Sequence, residues 1–306
     1  MKRWILMALL LLAGCAQDPE RSTIRTAKTL FKEGRLPEAL QIVEDYLDQH
    51  PGATELLRLR VFILLKAERI DLAVFALNRL PKDDPVLALA LRHRDPIVRS
   101  NAAKIVADEP ASVKLGALVY GLDDPVPTVR RYCARALGAL QSPDTVKPLF
   151  RLLSDDNWFV RAEAATALGK IGDPRAAGWL IRSVADSDGF VRYSAMQALR
   201  QLVCESNRSL LLSALDRSRA EQQFGIAFAL ARLHEPAALT PLLTGATNSN
   251  PEIRRQAAEA LGDCGTPAAT NALTKLLDDP EPPVRERASE SLRKLRGTLT
   301  PIDVSP

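Results

Sequence analysis

The sequence predicts an all-α protein, a right-handed α-solenoid of stacked helical hairpins. Three observations carry that expectation. Residue types recur with a period of 31, apolar positions inside each unit fall at helical spacing, and Asp, Pro and Gly mark the unit ends. The composition agrees, since 46% hydrophobic, 25% charged and 5% aromatic residues with 21 prolines describe a globular chain of many short helices broken by turns. A net charge of +4 gives no strong argument for a nucleic-acid partner.

The chain opens MKRWILMALLLLAGCAQDPE. Lys2 and Arg3 form a positive segment, and Ile5 to Leu12 an apolar run. That run is too short to cross a bilayer, which takes about 20 residues, and it fits a secretory signal. Leu12-Ala13-Gly14-Cys15 resembles the lipobox of bacterial lipoproteins. The resemblance implies a signal peptide over 1–14, cleavage before Cys15, and acylation of Cys15 at the new N-terminus. One acyl chain anchors only marginally, whereas several on one cysteine hold a protein on a membrane. Ala16, where an Asp would retain the protein, implies sorting to the outer membrane. The folded part is then expected to face the periplasm on a short tether over 15–22.

Between residues 23 and 85 the spacing changes. Ala27, Leu30, Gly34, Ala39, Val43 and Pro51 are followed 34 residues later by Val61, Leu64, Glu68, Ala73, Leu77 and Pro85. This resembles the tetratricopeptide repeat, with most of that repeat's large aromatic positions unfilled, and implies two helical hairpins.

From 86 to 296 the period is 31. Arg99, Arg130, Arg161, Arg192, Arg254 and Arg285 occupy six of seven positions in one column, and Gln223 takes the seventh. The residue before each is Val98, Val129, Val160, Val191, Gln222, Ile253 or Val284. A leucine stands nineteen places after the column throughout, from Leu118 to Leu273. Each unit reads as two helices. Asp95-Pro96, Asp124-Pro125, Asp155 and Asp188 are start signals for the first. Gly138, Gly169 and Gly262 are expected at its left-handed C-cap. The second helix carries the leucine. One such hairpin cannot bury its apolar face alone, but stacked units share a core. The tail over 297–306 is expected to be loose.

Segment 155–180 resembles the HEAT repeats of the phycobilisome-lyase type, whose pattern runs D-x-x-V-R-x-x-A-A-x-A-L-G-x-I-G-D-P. The resemblance extends over 86–296. It implies that the Asp and Arg near the first helices form a ladder between units, so the six column arginines are structural. It also implies that second helices line the concave face. With the leucines buried, Tyr120, Arg151, Arg182, Ser213, Thr244 and Lys275 should point outward, and Lys147 joins them. Tyr120, Lys147, Arg151 and Arg182 form a basic-aromatic row suited to an acidic protein segment or an anionic polymer.

The remaining chemistry is sparse. Cys133, Cys204 and Cys264 fall in units two apart, roughly 20 Å from one another, taking helix diameters of about 10 Å. A disulfide needs Cα atoms within about 7 Å, so none is expected. All three read as small buried hydrophobes. His50, His93 and His234 are scattered. Deoxyhypusine hydroxylase, a HEAT protein, holds iron with several His-Glu pairs, and here only His234-Glu235 exists. Phycobilin lyases act on cytoplasmic antenna proteins, and HEAT-like alkylpurine DNA glycosylases need DNA. Neither suits an exported lipoprotein. No Ser/His/Asp set, phosphate loop or HExxH motif occurs. The expected function is non-catalytic: a membrane-anchored scaffold or adaptor for protein partners, with no cofactor, metal or small-molecule substrate. The alternatives are an enzyme or maturation factor of the phycobilisome-lyase type, or a structural envelope lipoprotein contacting peptidoglycan. Trp158, Phe159 and Phe190, at helix starts, are expected to staple neighbouring units. Segment 216–236 replaces Val-Arg by Gln222-Gln223 and adds Gly225, which predicts a softer or bent joint.

Overall fold

The computed structural model describes residues 18–110 and 114–298. Cys15 and the lipobox, and all but the start of the tail expected over 297–306, lie outside them. The described residues contain helices and turns and no strand. They divide into two compact units between Lys114 and Leu115.

In the first unit, α1 (Pro19–Lys32) pairs with α2 (Leu36–Leu47), and α3 (Thr54–Lys66) pairs with α4 (Ile70–Leu77). The short α5 (Val86–Ala90) and α6 (Pro96–Asp108) follow. Helix α1 begins inside the stretch expected as tether. Asp18 accepts the Glu20 N–H, and Pro19 has no N–H to satisfy at the first helical position. Ala27, Leu30, Ala39 and Val43 are buried, as are their counterparts Val61, Leu64, Ala73 and Leu77. The two equivalent turns place Gly34 and Glu68 in the left-handed region, at φ 79° and 56°. Asp84 is buried, and Arg58 Nε at 2.7 Å and the Val86 N–H at 2.9 Å satisfy its carboxylate.

The second unit alternates short and long helices, except that α13 (Glu205–Arg217), in a short helix's place, is longer than α14 (Ala220–Leu230), in a long one's. The short ones are α7 (Leu115–Gly121), α9 (Val146–Arg151), α11 (Ala177–Ser183), α13 (Glu205–Arg217), α15 (Leu239–Ala246) and α17 (Pro267–Lys275). The long ones are α8 (Pro127–Leu140), α10 (Trp158–Ile171), α12 (Gly189–Leu202), α14 (Ala220–Leu230), α16 (Pro251–Cys264) and α18 (Pro282–Thr298). The leucine column, Leu118, Leu149, Leu180, Leu211, Leu242 and Leu273, is fully buried. Helix period and repeat period therefore agree on one core.

Two expectations about punctuation change. The left-handed residues that end the long helices are Gln141, Gly172, His234 and Gly265, three places beyond the column of Gly138, Gly169 and Gly262. Those three glycines lie inside their helices, where the next helix comes close. A Cβ on Gly138 would sit 2.7 Å from the Ala167 Cα, and one on Gly169 2.9 Å from the Ala198 Cα. Their role is close packing, not capping. Likewise Asp124 and Asp155 do not cap the helices after them. Each accepts the N–H two residues on, of Val126 and Asn157, and shapes the turn, while Asn157 caps α10.

Candidate functional site: an interrupted arginine ladder

Three ladder arginines, Arg130, Arg161 and Arg254, work the same way. Arg130 Nε and Nη2 donate to both oxygens of Asp155 at 2.7 and 2.8 Å. Arg161 grips Asp186 at 2.8 and 2.9 Å, and Arg254 grips Asp279 at 2.6 and 2.9 Å. Nη1 of each arginine meanwhile donates to two carbonyls of the turn ahead of its own helix, as Arg161 does to Asp155 and Asp156. Arg99 and Arg285 make the same carbonyl pair. One guanidinium thus fastens its own turn and the next unit's turn together, in the bidentate geometry that suits a carboxylate. Burial opposes ionisation of Asp186, but hydrogen bonds from Arg161 and the Asp188 N–H outweigh it and hold its pKa below the ordinary carboxylate value. Asp279 is lowered chiefly by its hydrogen bond from Arg254.

The ladder breaks at α14. The residue 25 places after Arg192, where the others find an acid, is Arg217, and the residue 25 places after Gln223 is Asn248. Arg217 folds back onto Ser213, with Nε to the carbonyl at 3.0 Å and Nη2 to Oγ at 2.6 Å. The Gln223 side chain donates to the Leu215 carbonyl at 3.2 Å. Arg192 keeps its bonds to the Asp186 and Ser187 carbonyls, but no carboxylate faces its Nε and Nη2 among the described residues.

The close-packing glycine is also replaced here, by Arg200. Its guanidinium lies 5.5 Å from the Phe228 ring and binds Glu259 at 2.8 Å and Asp263 at 2.5 Å, both on α16. Gln197 donates to Glu259 as well, at 3.1 Å. Helices α12 and α16, two units apart, therefore meet over α14, and every residue from Gly225 to Leu230 is buried. At this joint ionic bridges stand where the ladder is lost.

On the other side of this joint a cleft of about 830 Å³ opens, within the range of small-ligand sites. Phe190, Arg192 and Tyr193 line it from α12, Phe224 from α14, and Ile253 and Arg255 from α16. Ile253 is half-buried, whereas Val129, Val160, Val191 and Val284 in its column are buried. Arg255 is committed, donating to Glu252 at 2.9 and 2.6 Å. That pairing holds Glu252 below its ordinary pKa.

The row expected to bind a partner is exposed. Tyr120 is 60% accessible, and Lys147, Arg151 and Arg182 are exposed on α9 and α11. Arg151 lies 3.5 Å from the Asp123 carboxylate. Between these cations Phe150 and Trp179 stack at 4.6 Å, a pair absent from the sequence expectations because neither belongs to a recurring column. Trp158 stacks on Phe159 at 3.5 Å and on Phe190 at 5.5 Å, linking neighbouring units. Phe159 and Phe190 are nonetheless 46% and 69% exposed. The three cysteines described are free. Burial pushes Cys133 up to about 12 and Cys264 up to about 11. Cys204 is not a buried hydrophobe. It stands half-buried at the N-cap of α13, with Sγ 3.1 Å from the Ser206 Oγ, a contact that lowers its pKa. Among the described residues no His, Cys, Asp or Glu cluster converges for a metal, and no helix is long and apolar enough to cross a membrane.

Helical hairpins repeating at 31 residues define an α-solenoid repeat protein. The HEAT-repeat profile matches residues 115–200 and 209–293, over half of the chain, and the chain belongs to the HEAT-repeat family. The tetratricopeptide-repeat profile matches residues 30–92. No curated protein sequence matches. Solved structures similar to this chain include an archaeal HEAT-like repeat protein from Thermococcus onnurineus, at 14% identity over 72% of this chain and 99% of that one, with a TM-score of 0.46. The CpcE–CpcF complex of phycocyanin lyase from Nostoc is similar at 22% identity over 71% and 95%, with a TM-score of 0.43. Human deoxyhypusine hydroxylase is similar at 24% identity over 69% and 95%, with a TM-score of 0.30.

Proposed function

We propose that the protein is a non-catalytic scaffold that gathers protein partners on its helical repeats and is held at the bacterial outer membrane, facing the periplasm, by lipid on Cys15. The observation that carries the scaffold reading is the face of α7, α9 and α11. There Tyr120, Lys147, Arg151 and Arg182 stand in solvent directly above buried leucines, with the Phe150–Trp179 stack among them. Aromatic and arginine side chains are the types enriched at protein interfaces and among the residues that carry most of their binding energy. Positive charge on this face favours an acidic partner segment. The anchor rests on the lipobox.

In-cell crosslinking of the tagged full chain, followed by solubilisation and mass spectrometry, tests both parts. Replacing Tyr120, Lys147, Arg151 and Arg182 together by alanine should remove the partners recovered with the unaltered protein. Unchanged recovery would take the row out of the proposal. Cys15→Ala should release the protein from the membrane fraction, and retention there would refute the anchor.

A further inference from the structure

The cleft beside α14 contains one half of a contact that three other units complete. In three other units the Nε–Nη2 edge of the column arginine is filled by an aspartate from the following turn, at 2.6 to 2.9 Å. Arg192 is held in the same way by its Nη1, through the Asp186 and Ser187 carbonyls at 2.7 and 3.1 Å. Its bidentate edge has no protein acceptor among the described residues, because the position of the missing aspartate is Arg217, turned back onto Ser213. Arg192 lines the cleft, with Phe190, Tyr193, Phe224 and Ile253 around it. The other guanidinium of the cleft, Arg255, already holds Glu252. A partly buried arginine fixed by two backbone bonds and bordered by aromatic walls is preorganised for a planar anion.

We infer that the cleft is a recognition site for a carboxylate carried by a peptide beside an apolar side chain, with Arg192 receiving the carboxylate as its counterparts receive Asp155, Asp186 and Asp279. The carboxylate is an internal aspartate or a chain terminus. The aromatic walls take the neighbouring apolar group, and Phe190, which lines the cleft, is 69% exposed. Glu252 and Glu221, which also line the cleft, set the charge limit: one negative charge fits beside them better than the two of a phosphate.

The inference rests on the protein-binding reading above but uses a different surface. Calorimetric titration of the detergent-solubilised full chain, at low salt, takes three probes: acetyl-Leu-Asp-Leu-amide, acetyl-Leu-Ala-Leu with a free C-terminus, and acetyl-Leu-Asn-Leu-amide. At least one carboxylate peptide should bind tenfold or more tighter than the Asn peptide, and which of the two does so identifies the source. Arg217→Asp restores the ladder acid and so supplies the carboxylate from within, which should abolish the preference while leaving thermal unfolding unshifted or raised. Arg192→Ala should abolish it too. Equal affinity for the Asn peptide and both carboxylate peptides, no binding by any probe, or a preference that survives Arg217→Asp would overturn the inference. Failure of the peptides while partners still crosslink through Tyr120, Lys147, Arg151 and Arg182 would remove this site alone. Peptide binding with no partner recovered would remove the scaffold reading alone.

Discussion

The stretch from α8 to α11 and the stretch from α12 to α16 are built on one repeat, and they solve the same joining problem differently. In the first, a glycine lets consecutive long helices touch and an arginine ties each turn to the next through an aspartate. In the second, both devices are missing. Arg200 stands in the glycine's place, Arg217 in the aspartate's, and Gln223 in the arginine's. The chain there is joined by long side chains that skip a unit, from Arg200 and Gln197 to Glu259 and Asp263. Close backbone packing leaves no room for a ligand, and side-chain bridges leave a cleft. In a repeat protein, irregularity is therefore where a specific site is to be sought, because regular units are occupied with holding one another.

The sharpest way to break this contrast is to remove one arginine from each stretch. Arg161→Ala leaves the largely buried Asp186 without its partner and should cost about 3 kcal/mol. Arg192→Ala deletes two bonds to carbonyls and no ion pair, and should cost about 1–2 kcal/mol. Urea unfolding followed by the emission of Trp158 and Trp179 measures both, and equal losses would erase the distinction. Glycine roles separate next. Gly169→Ala drives a Cβ against the Ala198 backbone and should cost about 2 kcal/mol. Gly172→Ala meets open space and is strained only by its φ of 77°, so about 1 kcal/mol is expected.

Acid sharpens the comparison further. Asp186 and Asp279 have folded pKa values below their unfolded ones, so the stability they contribute is present above about pH 4 and is lost as pH falls through the folded values. Arg161→Ala should flatten that acid limb, whereas Arg192→Ala should leave it steep. The smallest expected difference is in amide exchange. Residues 225–230, buried on all sides, should exchange as slowly as residues 160–169, and faster exchange in α14 would show that the ionic bridges do not replace the ladder.

Much of this is legible in the sequence. The recurring arginine, the buried leucines nineteen places on and the exposed row above them follow from periodicity, because a helix of 3.6 residues per turn allows only one face to pack. The departure at Gln222-Gln223 was legible too, but not its meaning. The sequence points to helix ends for these glycines, because a glycine after an apolar run is commonly a cap. Only the neighbour's backbone, 2.7 Å from where a Cβ would be, shows that they serve packing. Cys204 looked like the other two cysteines because spacing says nothing about which side of a turn a thiol faces.

Sequence alone determined the repeat, its register and the identity of the ladder residues, since these depend on local periodicity and on side chains at fixed offsets. Tertiary structure alone decided that Arg200 reaches across a whole unit, that α14 is roofed over, and that Arg192, with no acid on its bidentate edge among the described residues, lines an aromatic cleft. Those facts depend on how far apart helices stand when a glycine becomes an arginine, a distance set by the volume of side chains from three helices at once.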